Sequence, residues 1–385
     1  MKKLTVLSII SVIALTSCSF EETAGQSSES SVTEHYIQNE TIFESEENNS
    51  YIPLNFTNQA GLWLPYMDFE NYMYNKSESE YREEIKKILS DAKAEGINTI
   101  YFHVHPNGDA YYKSNIFPKG IYYTGDYDPL QIMLDEAHDM GISVHAWLNP
   151  MRFQTVEQME NLPDDFIVKQ WINEKSPMVK IINNRWYLNP AYEEVTELVS
   201  ECADEILKNY NVDGIHIDDY FYPTTETEFD SEAFEISNSN DLAQWRQENI
   251  NNMVKSLYDT VKSNNKRIKF GISPQGNINA NYNSQYADVK LWAGTEGYAD
   301  YIIPQIYFGF ENETCPFEPT LKEWEKLVKD SGVSLIIGLA EYKLGEEDKW
   351  AGVAGEMEWI ENPDIINQQI ELVKNSSADG YALYR

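Results

Sequence analysis

The chain has 385 residues, of which 63 are Asp or Glu and 29 are Lys or Arg, so its formal net charge is −34. This balance excludes nucleic acid as a partner, because binding a phosphate backbone requires clustered Lys and Arg. Besides Cys18 the sequence contains only Cys202 and Cys315, which predicts no disulfide framework.

The N-terminus has the layout of an export signal. Lys2 and Lys3 precede an apolar run from residue 4 to residue 15, which is too short to span a bilayer comfortably. The run leads into Leu15-Thr16-Ser17-Cys18, which resembles the lipobox of bacterial lipoproteins. That resemblance implies a signal peptide over 1–17, an acylated Cys18, and a lipid anchor on the extracytoplasmic side of the cell membrane. The alternative is an ordinary secretory signal with a stray cysteine.

The segment that follows the cysteine is acidic and poor in apolar residues. Residues 19–50 contain eight Glu and no Lys or Arg. Such a composition cannot bury a core, so we predict a disordered tether over 18–50, with a reach of roughly 30 Å. Residues 51–385 then form one catalytic domain, long for a single domain but within the range of a barrel with insertions.

Eight strand-like segments recur through that domain, and amphipathic helices follow most of them. The predicted strands span 61–66, 97–105, 141–149, 212–219, 268–275, 299–307, 333–341 and 379–384. Alternating strands and helices predict an α/β fold, and eight repeats favour a closed (β/α)8 TIM barrel. Ser77 and Glu80 predict a capping box at one helix start, and Asp128-Pro129, Asn189-Pro190 and Asn362-Pro363 predict three further starts. No eighth helix is predicted, because the sequence stops at Arg385, in or just after the last strand.

Side-chain alternation along the strands predicts which residues face the barrel interior. On five strands the apolar residues face the helices, so polar and aromatic residues face inward near the strand ends. These inward residues include Tyr101, His103, His105, His145, Trp147, Asn149, His216, Asp218, Tyr220, Ser273, Gln275, Gln305 and Tyr307. A purely structural barrel interior prefers branched aliphatic residues, so this polarity predicts a site at the C-terminal face. Long insertions at 150–188 and 220–240 extend that face.

Six motifs occur in order between residue 58 and the end of the chain. They are Gly61-Leu-Trp-Leu64, Asn107-Gly-Asp-Ala-Tyr-Tyr-Lys-Ser114, Ala146-Trp-Leu-Asn-Pro-Met-Arg152, Asp213-Gly-Ile-His-Ile-Asp-Asp-Tyr-Phe-Tyr-Pro223, Trp245-Arg246 and Pro304-Gln-Ile-Tyr307. Together they resemble the glycosyl-hydrolase-like 10 family of exported or lipid-anchored bacterial barrel proteins. The resemblance implies glycoside hydrolysis, with cell-wall (peptidoglycan-type) glycan or a related polysaccharide as the substrate class. His105 departs from the family, which often has Arg at that position.

Glycoside hydrolysis normally requires two carboxyl groups, and the sequence offers one good candidate pair at the end of the fourth strand. Asp218 points inward and is predicted to be the nucleophile or the stabilising carboxylate, with Asp219 beside it. Asp213 opens the same strand at the opposite end and is predicted to be structural. For the second carboxyl, Glu341 ends the seventh strand, although its parity groups it with outward residues, and Asp109 is the next candidate. An N-acetyl-assisted mechanism, for which Tyr307 would be suitable, is a third option.

Further residues near the barrel mouth are candidates for substrate contact. The predicted substrate-binding residues are His105, Asp109, Trp147, Asn149, Arg152, His216, Tyr220, Gln305 and Tyr307. Among the aromatic residues, Trp63, Trp147 and Tyr222 could stack on sugar rings. This interpretation requires no metal or cofactor, and its partners are a glycan and, through Cys18, the membrane.

Two other classes of function stay open. His103, His105, His145 and His216 are predicted to face inward on adjacent strands, and with Asp218 they could ligate the metal of a barrel hydrolase. The protein could also be a non-catalytic glycan-binding lipoprotein, which would keep the aromatic residues and need no second acid.

Overall fold

A computed structural model describes residues 51–385, which form a closed barrel of eight parallel strands with helices around it. The predicted signal peptide, Cys18 and the tether over 18–50 lie outside the described residues. Around the barrel the strand order is β1-β2-β3-β7-β8-β9-β10-β11, and β11 pairs with β1 to close it. The barrel strands are β1 (Gln59–Leu64), β2 (Thr99–His105), β3 (Ser143–Leu148), β7 (Gly214–Ile217), β8 (Lys269–Ile272), β9 (Tyr301–Ile302), β10 (Ser334–Ala340) and β11 (Gly380–Tyr384). The predicted fold class and all eight strands are confirmed.

Helices fill the connections between the strands. They are α1 (Phe69–Tyr72), α2 (Glu78–Ala94), α3 (Pro129–Asp139), α4 (Val156–Glu160), α5 (Ile167–Asn173), α6 (Glu193–Asn209), α7 (Ser231–Ile236), α8 (Leu242–Asn264), α9 (Ile278–Gln285), α10 (Val289–Gly294), α11 (Phe317–Val328), α12 (Gly352–Gly355), α13 (Glu358–Glu361) and α14 (Ile365–Lys374). Short 3₁₀ turns span Tyr66–Asp68, Thr227–Phe229 and Glu341–Lys343. Within residues 51–385, no helix is long and apolar enough to cross a membrane.

The helix boundaries follow the capping signals in part. The Ser77 hydroxyl accepts the Glu80 N–H and the Glu80 carboxylate accepts the Ser77 N–H, so the predicted capping box is confirmed. The Asp128-Pro129 start is also confirmed, because Asp128 caps α3 and accepts the Gln131 N–H. The two Asn-Pro predictions are wrong in detail. Helix α6 begins three residues after Pro190 with Tyr192 as its N-cap, and α14 follows Asp364 rather than Asn362. Neither of these caps accepts a hydrogen bond through its side chain, so other contacts set these two starts.

Two hydrophobic clusters divide along the strand parity. The larger one lies between the strands and the helices and takes up Ile100, Phe102 and Ile215. The smaller one fills the barrel interior and includes Trp63, Tyr101, Trp147, Tyr301, Ile303, Ile336 and Ala382. This division confirms the predicted alternation on β3, β7 and β9, and on β2 as far as His103. The interior is filled by aromatic rings rather than by branched aliphatic layers.

The insertion after β3 forms a small sheet at the C-terminal face. Its strands β4 (Arg152–Thr155), β5 (Val179–Ile182) and β6 (Arg185–Leu188) pair antiparallel in the order β4-β6-β5. The sheet starts at Arg152, so it holds that residue at the barrel mouth. The sequence pattern predicted an insertion here but not its strands.

Candidate active site

Two consecutive carboxyl side chains, Asp218 and Asp219, follow the last residue of β7. Asp218 is 4% exposed, and Asp219 is partly exposed. Both line a cavity of about 360 Å³ at the C-terminal end of the barrel, which we call the Asp218 cavity. Asp219 also lines a neighbouring cavity of about 460 Å³, which we call the Trp350 cavity after another of its residues. Volumes of this size are typical of small-molecule sites.

The two carboxyls differ in how readily they ionise because their surroundings differ. Burial raises the pKa of Asp218 well above its ordinary value, and the charge of Asp219 raises it further. Burial also raises the pKa of Asp219, but the side chains of Gln305, Gln275 and Gln285 stabilise its charged form by hydrogen bonding. Ionisation is therefore less favourable at Asp218 than at Asp219.

One wall of the Asp218 cavity carries polar atoms without hydrogen-bond partners among residues 51–385. They are both ring nitrogens of His103, Nε1 of Trp147, Oδ1 of Asn149 and Nε of Arg152. The rings of His103 and Trp147 stack with their centroids 3.6 Å apart. Arg152 lies over the ring of Tyr220 and donates to its hydroxyl at 3.2 Å. The residues that carry these atoms line the cavity, so its wall consists of imidazole, indole, amide and guanidinium groups, which suit a polar ligand.

Three tyrosines form a second, aromatic wall of the same cavity. The rings of Tyr307 and Tyr384 stack with centroids 6.1 Å apart, and Tyr342 meets both of them edge-on. Burial and the neighbouring tyrosines raise the pKa of Tyr307 well above its ordinary value, so its hydroxyl remains a donor at any physiological pH. Aromatic rings offer flat apolar contact area, and the Tyr307 hydroxyl adds a polar contact.

A chain of hydrogen bonds in the barrel interior supports the floor of the site. The Trp63 indole N–H donates to Nε2 of His216 at 3.2 Å, which leaves the His216 Nδ1–H to donate to the Tyr301 hydroxyl, also at 3.2 Å. That hydroxyl in turn donates to Nδ1 of His145 at 2.7 Å. Gly271 has no side chain where the Tyr301 ring lies. These hydrogen bonds fix the tautomer of His216, which lies two residues before Asp218. They also hold His145 and His216 as neutral rings.

The structure does not bring His105 or His216 to the wall of either cavity, although both were predicted to bind substrate. The pairing of β2 with β3 shifts register between His103 and His105, so the alternation that placed His105 inward fails there. The His105 ring packs on Phe117 instead, and burial lowers its pKa to about 4. His103 lines the Asp218 cavity in its place. His216 lies one layer lower in the hydrogen-bonded chain described above.

Asp109 and Glu341, the two candidates for a second carboxyl, also lie away from both cavities. Asp109 is a buried residue of the loop after β2, and its carboxylate accepts the Asn107 N–H at 2.9 Å. Burial raises the pKa of Asp109 to about 7. Glu341 opens the turn after β10 and accepts a 2.8 Å hydrogen bond from Arg385. Tyr222, a predicted stacking residue, is buried against Phe229 and Tyr286. The other predicted site residues, Trp147, Asn149, Arg152, Tyr220, Gln305 and Tyr307, line the Asp218 cavity with the Asp pair.

The histidines do not assemble the ligand set of a metal hydrolase. His145 and His216 use ring nitrogens to bind Tyr301 and Trp63, and His105 turns toward the loops. Across residues 51–385, no group of three or more His, Cys, Asp or Glu side chains is arranged to hold a metal ion. The geometry therefore gives the metal-dependent alternative no support.

Several residues of the candidate active site were not predicted from the sequence. Tyr342 lies in the turn after the seventh strand, next to Glu341, and its own parity was not considered. Tyr384 lies on the eighth strand, to which no parity had been assigned. The parity of β8 had marked Gln275 as inward without a role. Gln285, whose side chain hydrogen-bonds to Asp219, and Trp350, which lines the Trp350 cavity, lie on distant connections, and no local pattern in the sequence links either of them to β7.

Comparison with known proteins adds independent findings. The family model described as Glycosyl hydrolase-like 10 matches residues 59–353, which include ten of the eleven strands. The chain is 32% identical over 331 residues to glycosyl hydrolase YngK of Bacillus subtilis (strain 168), covering 78% of this chain and 63% of that protein. It is 31% identical over 309 residues to glycosyl hydrolase DigH of Escherichia coli (strain K12), covering 72% of this chain and 69% of that protein. The chain thus spans less than two thirds of the Bacillus relative.

Solved structures resemble the barrel at low sequence identity. Alpha-L-fucosidase isoenzyme 2 from Paenibacillus thiaminolyticus gives a TM-score of 0.57 at 11% identity, covering 84% of this chain and 45% of that one. The glycoside hydrolase domain of PgaB (BpsB) from Bordetella bronchiseptica gives 0.52 at 11% identity, covering 86% and 94%. At such identity these likenesses show the shared fold alone.

Proposed function

The chain belongs to the glycosyl hydrolase-like 10 family, and on that premise we propose that it hydrolyses glycosidic bonds in a cell-wall glycan. The observation that carries this proposal is the pair Asp218 and Asp219, which stands beside a wall of polar side chains that includes His103, Asn149 and Arg152. Two carboxyl groups in one cavity, of which one ionises less readily than the other, are the groups that this reaction uses.

We assign different roles to the two carboxyls. Asp218, which keeps its proton, donates it to the oxygen of the leaving sugar as the glycosidic bond breaks. Asp219 stabilises the positive charge that develops at the anomeric carbon. Water then adds to that carbon and gives up a proton to the Asp218 carboxylate, which restores the acid. On a sugar with a 2-acetamido group, Asp219 and the Tyr307 hydroxyl would orient that group in an N-acetyl-assisted route. The pattern of the sequence had favoured Asp218 as the nucleophile or stabiliser, and its raised pKa is the reason for reversing the roles.

The assignment has a consequence for pH dependence. Asp218 must be protonated to act as an acid, so activity falls as the pH rises through its raised pKa. Asp219 must be ionised, so activity also falls at acid pH. The charge of Asp219 contributes to the raised pKa of Asp218, and for this reason the pair titrates as a unit.

The surroundings of the pair support a hydroxyl-rich polymer as the substrate. The wall of the Asp218 cavity offers one cation, Arg152, together with hydroxyl, amide, imidazole and aromatic groups. The predicted lipid anchor at Cys18 would hold the enzyme on the extracytoplasmic side, next to the wall glycan. The anchor is tested by phase separation of a detergent extract. We expect the wild type in the detergent phase and Cys18→Ala in the aqueous phase, and an unchanged distribution of the variant would refute the anchor.

The proposal is tested on purified, peptide-free glycan strands by counting the reducing ends released. We expect Asp218→Asn to fold like the wild type and to release them about 10²–10⁴-fold more slowly. Asp139→Asn, at an exposed position on α3, is the matched control and should retain the full rate. Wild-type-like release by Asp218→Asn would refute the assignment. Binding of the strands by the wild type without new reducing ends would show a glycan-binding protein instead of an enzyme.

A further inference from the structure

The Trp350 cavity adjoins the proposed catalytic site but takes no part in the chemistry described above. It shares Asp219, Gln305 and Tyr307 with the Asp218 cavity and continues outward to the loop after β10. A glycan chain bound at the Asp pair must extend beyond the Asp218 cavity. The adjoining Trp350 cavity has a suitable volume for the next part of that chain.

Trp350 is exposed to an unusual extent at the rim of this cavity. Its side chain is 92% exposed, although tryptophan is among the residues that gain most from burial. An indole presented in this way offers a flat apolar surface of the kind that the ring face of a sugar covers. Its position beside a cavity that reaches Asp219 distinguishes it from an isolated exposed residue.

The backbone of Trp350 is tied to the catalytic site by hydrogen bonds. Lys343 donates to the Tyr307 carbonyl and to Oδ2 of Asp348, both at 2.8 Å. Oδ1 of Asp348 then accepts the Trp350 N–H at 3.3 Å. Asp348 is buried, so this connection is part of the folded core of the loop. The indole is therefore carried by a loop fixed relative to Tyr307, which a binding platform requires.

The rest of the cavity lining is neutral and rich in amides. Asn277 and Asn312 use their side-chain carbonyls to accept backbone N–H groups of their own turns, so their NH₂ groups are the parts left to donate to a ligand. The positive charge of Lys343 is already paired with Asp348. Such a lining favours an uncharged ligand with hydroxyl or acetamido oxygens over an anionic peptide.

We propose that the Trp350 cavity is a second sugar-binding subsite, in which a sugar unit of the same glycan chain stacks on the Trp350 indole. The inference rests on the proposed function, because the subsite serves a polymer bound across the Asp pair. It makes the enzyme selective for chains over single sugars, since the binding energy of the second unit adds to that of the first.

The test measures binding without hydrolysis. In the Asp218→Asn background, the full chain is titrated by calorimetry with the hexasaccharide of N-acetylglucosamine. Adding Trp350→Ala should weaken the affinity about tenfold, whereas Trp350→Phe should retain most of it. Val353→Ala is the matched control, because Val353 is also an apolar residue of this loop and is 91% exposed. An unchanged affinity in Trp350→Ala, or no binding of the hexasaccharide by the parent, would overturn the proposal.

Cys315 provides a second readout inside the cavity. It lines the Trp350 cavity and is partly exposed, while Cys202 is buried. Bound hexasaccharide should slow alkylation of Cys315 in the parent but not in Trp350→Ala, as measured by peptide mass spectrometry. Equal rates with and without sugar in the parent would contradict the subsite. Trp350-dependent binding by a wild type that releases no reducing ends would refute the hydrolysis and leave the subsite standing.

Discussion

The two ends of strand β7 place carboxyl groups in opposite environments. At the N-terminal end, one oxygen of Asp213 accepts the Tyr51 hydroxyl and the Leu54 N–H, both at 2.6 Å. Its other oxygen accepts the Val144 N–H at 2.7 Å and the His138 Nε2–H at 2.9 Å. At the C-terminal end, the partners of Asp218 are fewer and weaker: its Oδ1 receives a long 3.4 Å bond from the Tyr220 N–H, and the Trp147 side chain also stabilises its charged form.

The pKa values follow from this difference. Burial alone would raise the pKa of Asp213, but the bonds from His138, Tyr51 and Val144 hold it below its ordinary value. The same burial is offset only in part at Asp218 by Tyr220, Trp147 and Arg152, so its pKa rises. One carboxylate is therefore satisfied by the fold and contributes to stability. The other ionises less readily, as a proton donor requires.

We expect the largest effect on stability from a substitution at Arg246. It tests whether the C-terminal end of the barrel also contains contacts that stabilise the fold. Arg246 and Asp230 form a fully buried ion pair there, with bonds at 2.6 and 2.8 Å. Arg246 also donates to the carbonyls of Thr225 and Glu226 in the loop after β7. Arg246→Met leaves Asp230 buried without its partner, so the free energy of unfolding should fall by about 3–5 kcal/mol in urea titrations. A fall below about 1 kcal/mol would show that the loop is held by other contacts.

A pair of amide substitutions compares the two ends directly. Asp213→Asn loses a charge with four hydrogen bonds and should lower the free energy of unfolding by about 3 kcal/mol at pH 7. Asp218→Asn removes a carboxyl whose ionisation is disfavoured, so it should leave stability equal or higher. Because the folded-state pKa of Asp213 is lowered, its contribution is present above the ordinary pKa and is lost as the pH falls through the folded value. If Asp218→Asn destabilises the fold as much as Asp213→Asn does, the contrast is wrong.

The smallest effect concerns Asp109, a second buried acid at the C-terminal end. Its folded-state pKa of about 7 is above the ordinary value, so the folded state binds the extra proton and loses stability as the pH rises toward 7. Asp109→Asn cannot ionise and should exceed the wild type by about 2 kcal/mol at pH 8, with no difference near pH 4. Urea unfolding at both pH values measures this, with Asp139→Asn as the control. A variant less stable than the wild type at pH 8 would contradict the environment described for Asp109.

The features that the sequence could predict are those that depend on local spacing along a strand. Strand alternation is a local property, so the inward positions of Tyr101, Trp147 and Asp218 followed from spacing alone. The expectation that Asp213 is structural is likewise confirmed by its four hydrogen bonds. The register shift after His103 depends on how β2 pairs with β3, which no spacing within β2 records.

The remaining parts of the site depend on distant segments of the chain. Glu341 was considered because it ends a barrel strand, and its pairing with Arg385 became visible only in three dimensions. Gln285 and Trp350 reach the site from connections after β8 and β10. Loops of this kind are positioned by tertiary contacts, so a sequence pattern indicates the face they lie on but not the residues that meet.

The roles of the Asp pair are tested most directly by a substrate that needs no acid. The measurement compares Asp218→Asn and Asp219→Asn on the 2,4-dinitrophenyl glycoside of the sugar that the wild type releases, whose leaving group departs without a proton. We predict that Asp218→Asn cleaves it within about tenfold of the wild-type rate, although it is about 10²–10⁴-fold slower on glycan, while Asp219→Asn is impaired on both substrates. Equal impairment of Asp218→Asn on both substrates would contradict its role as the proton donor.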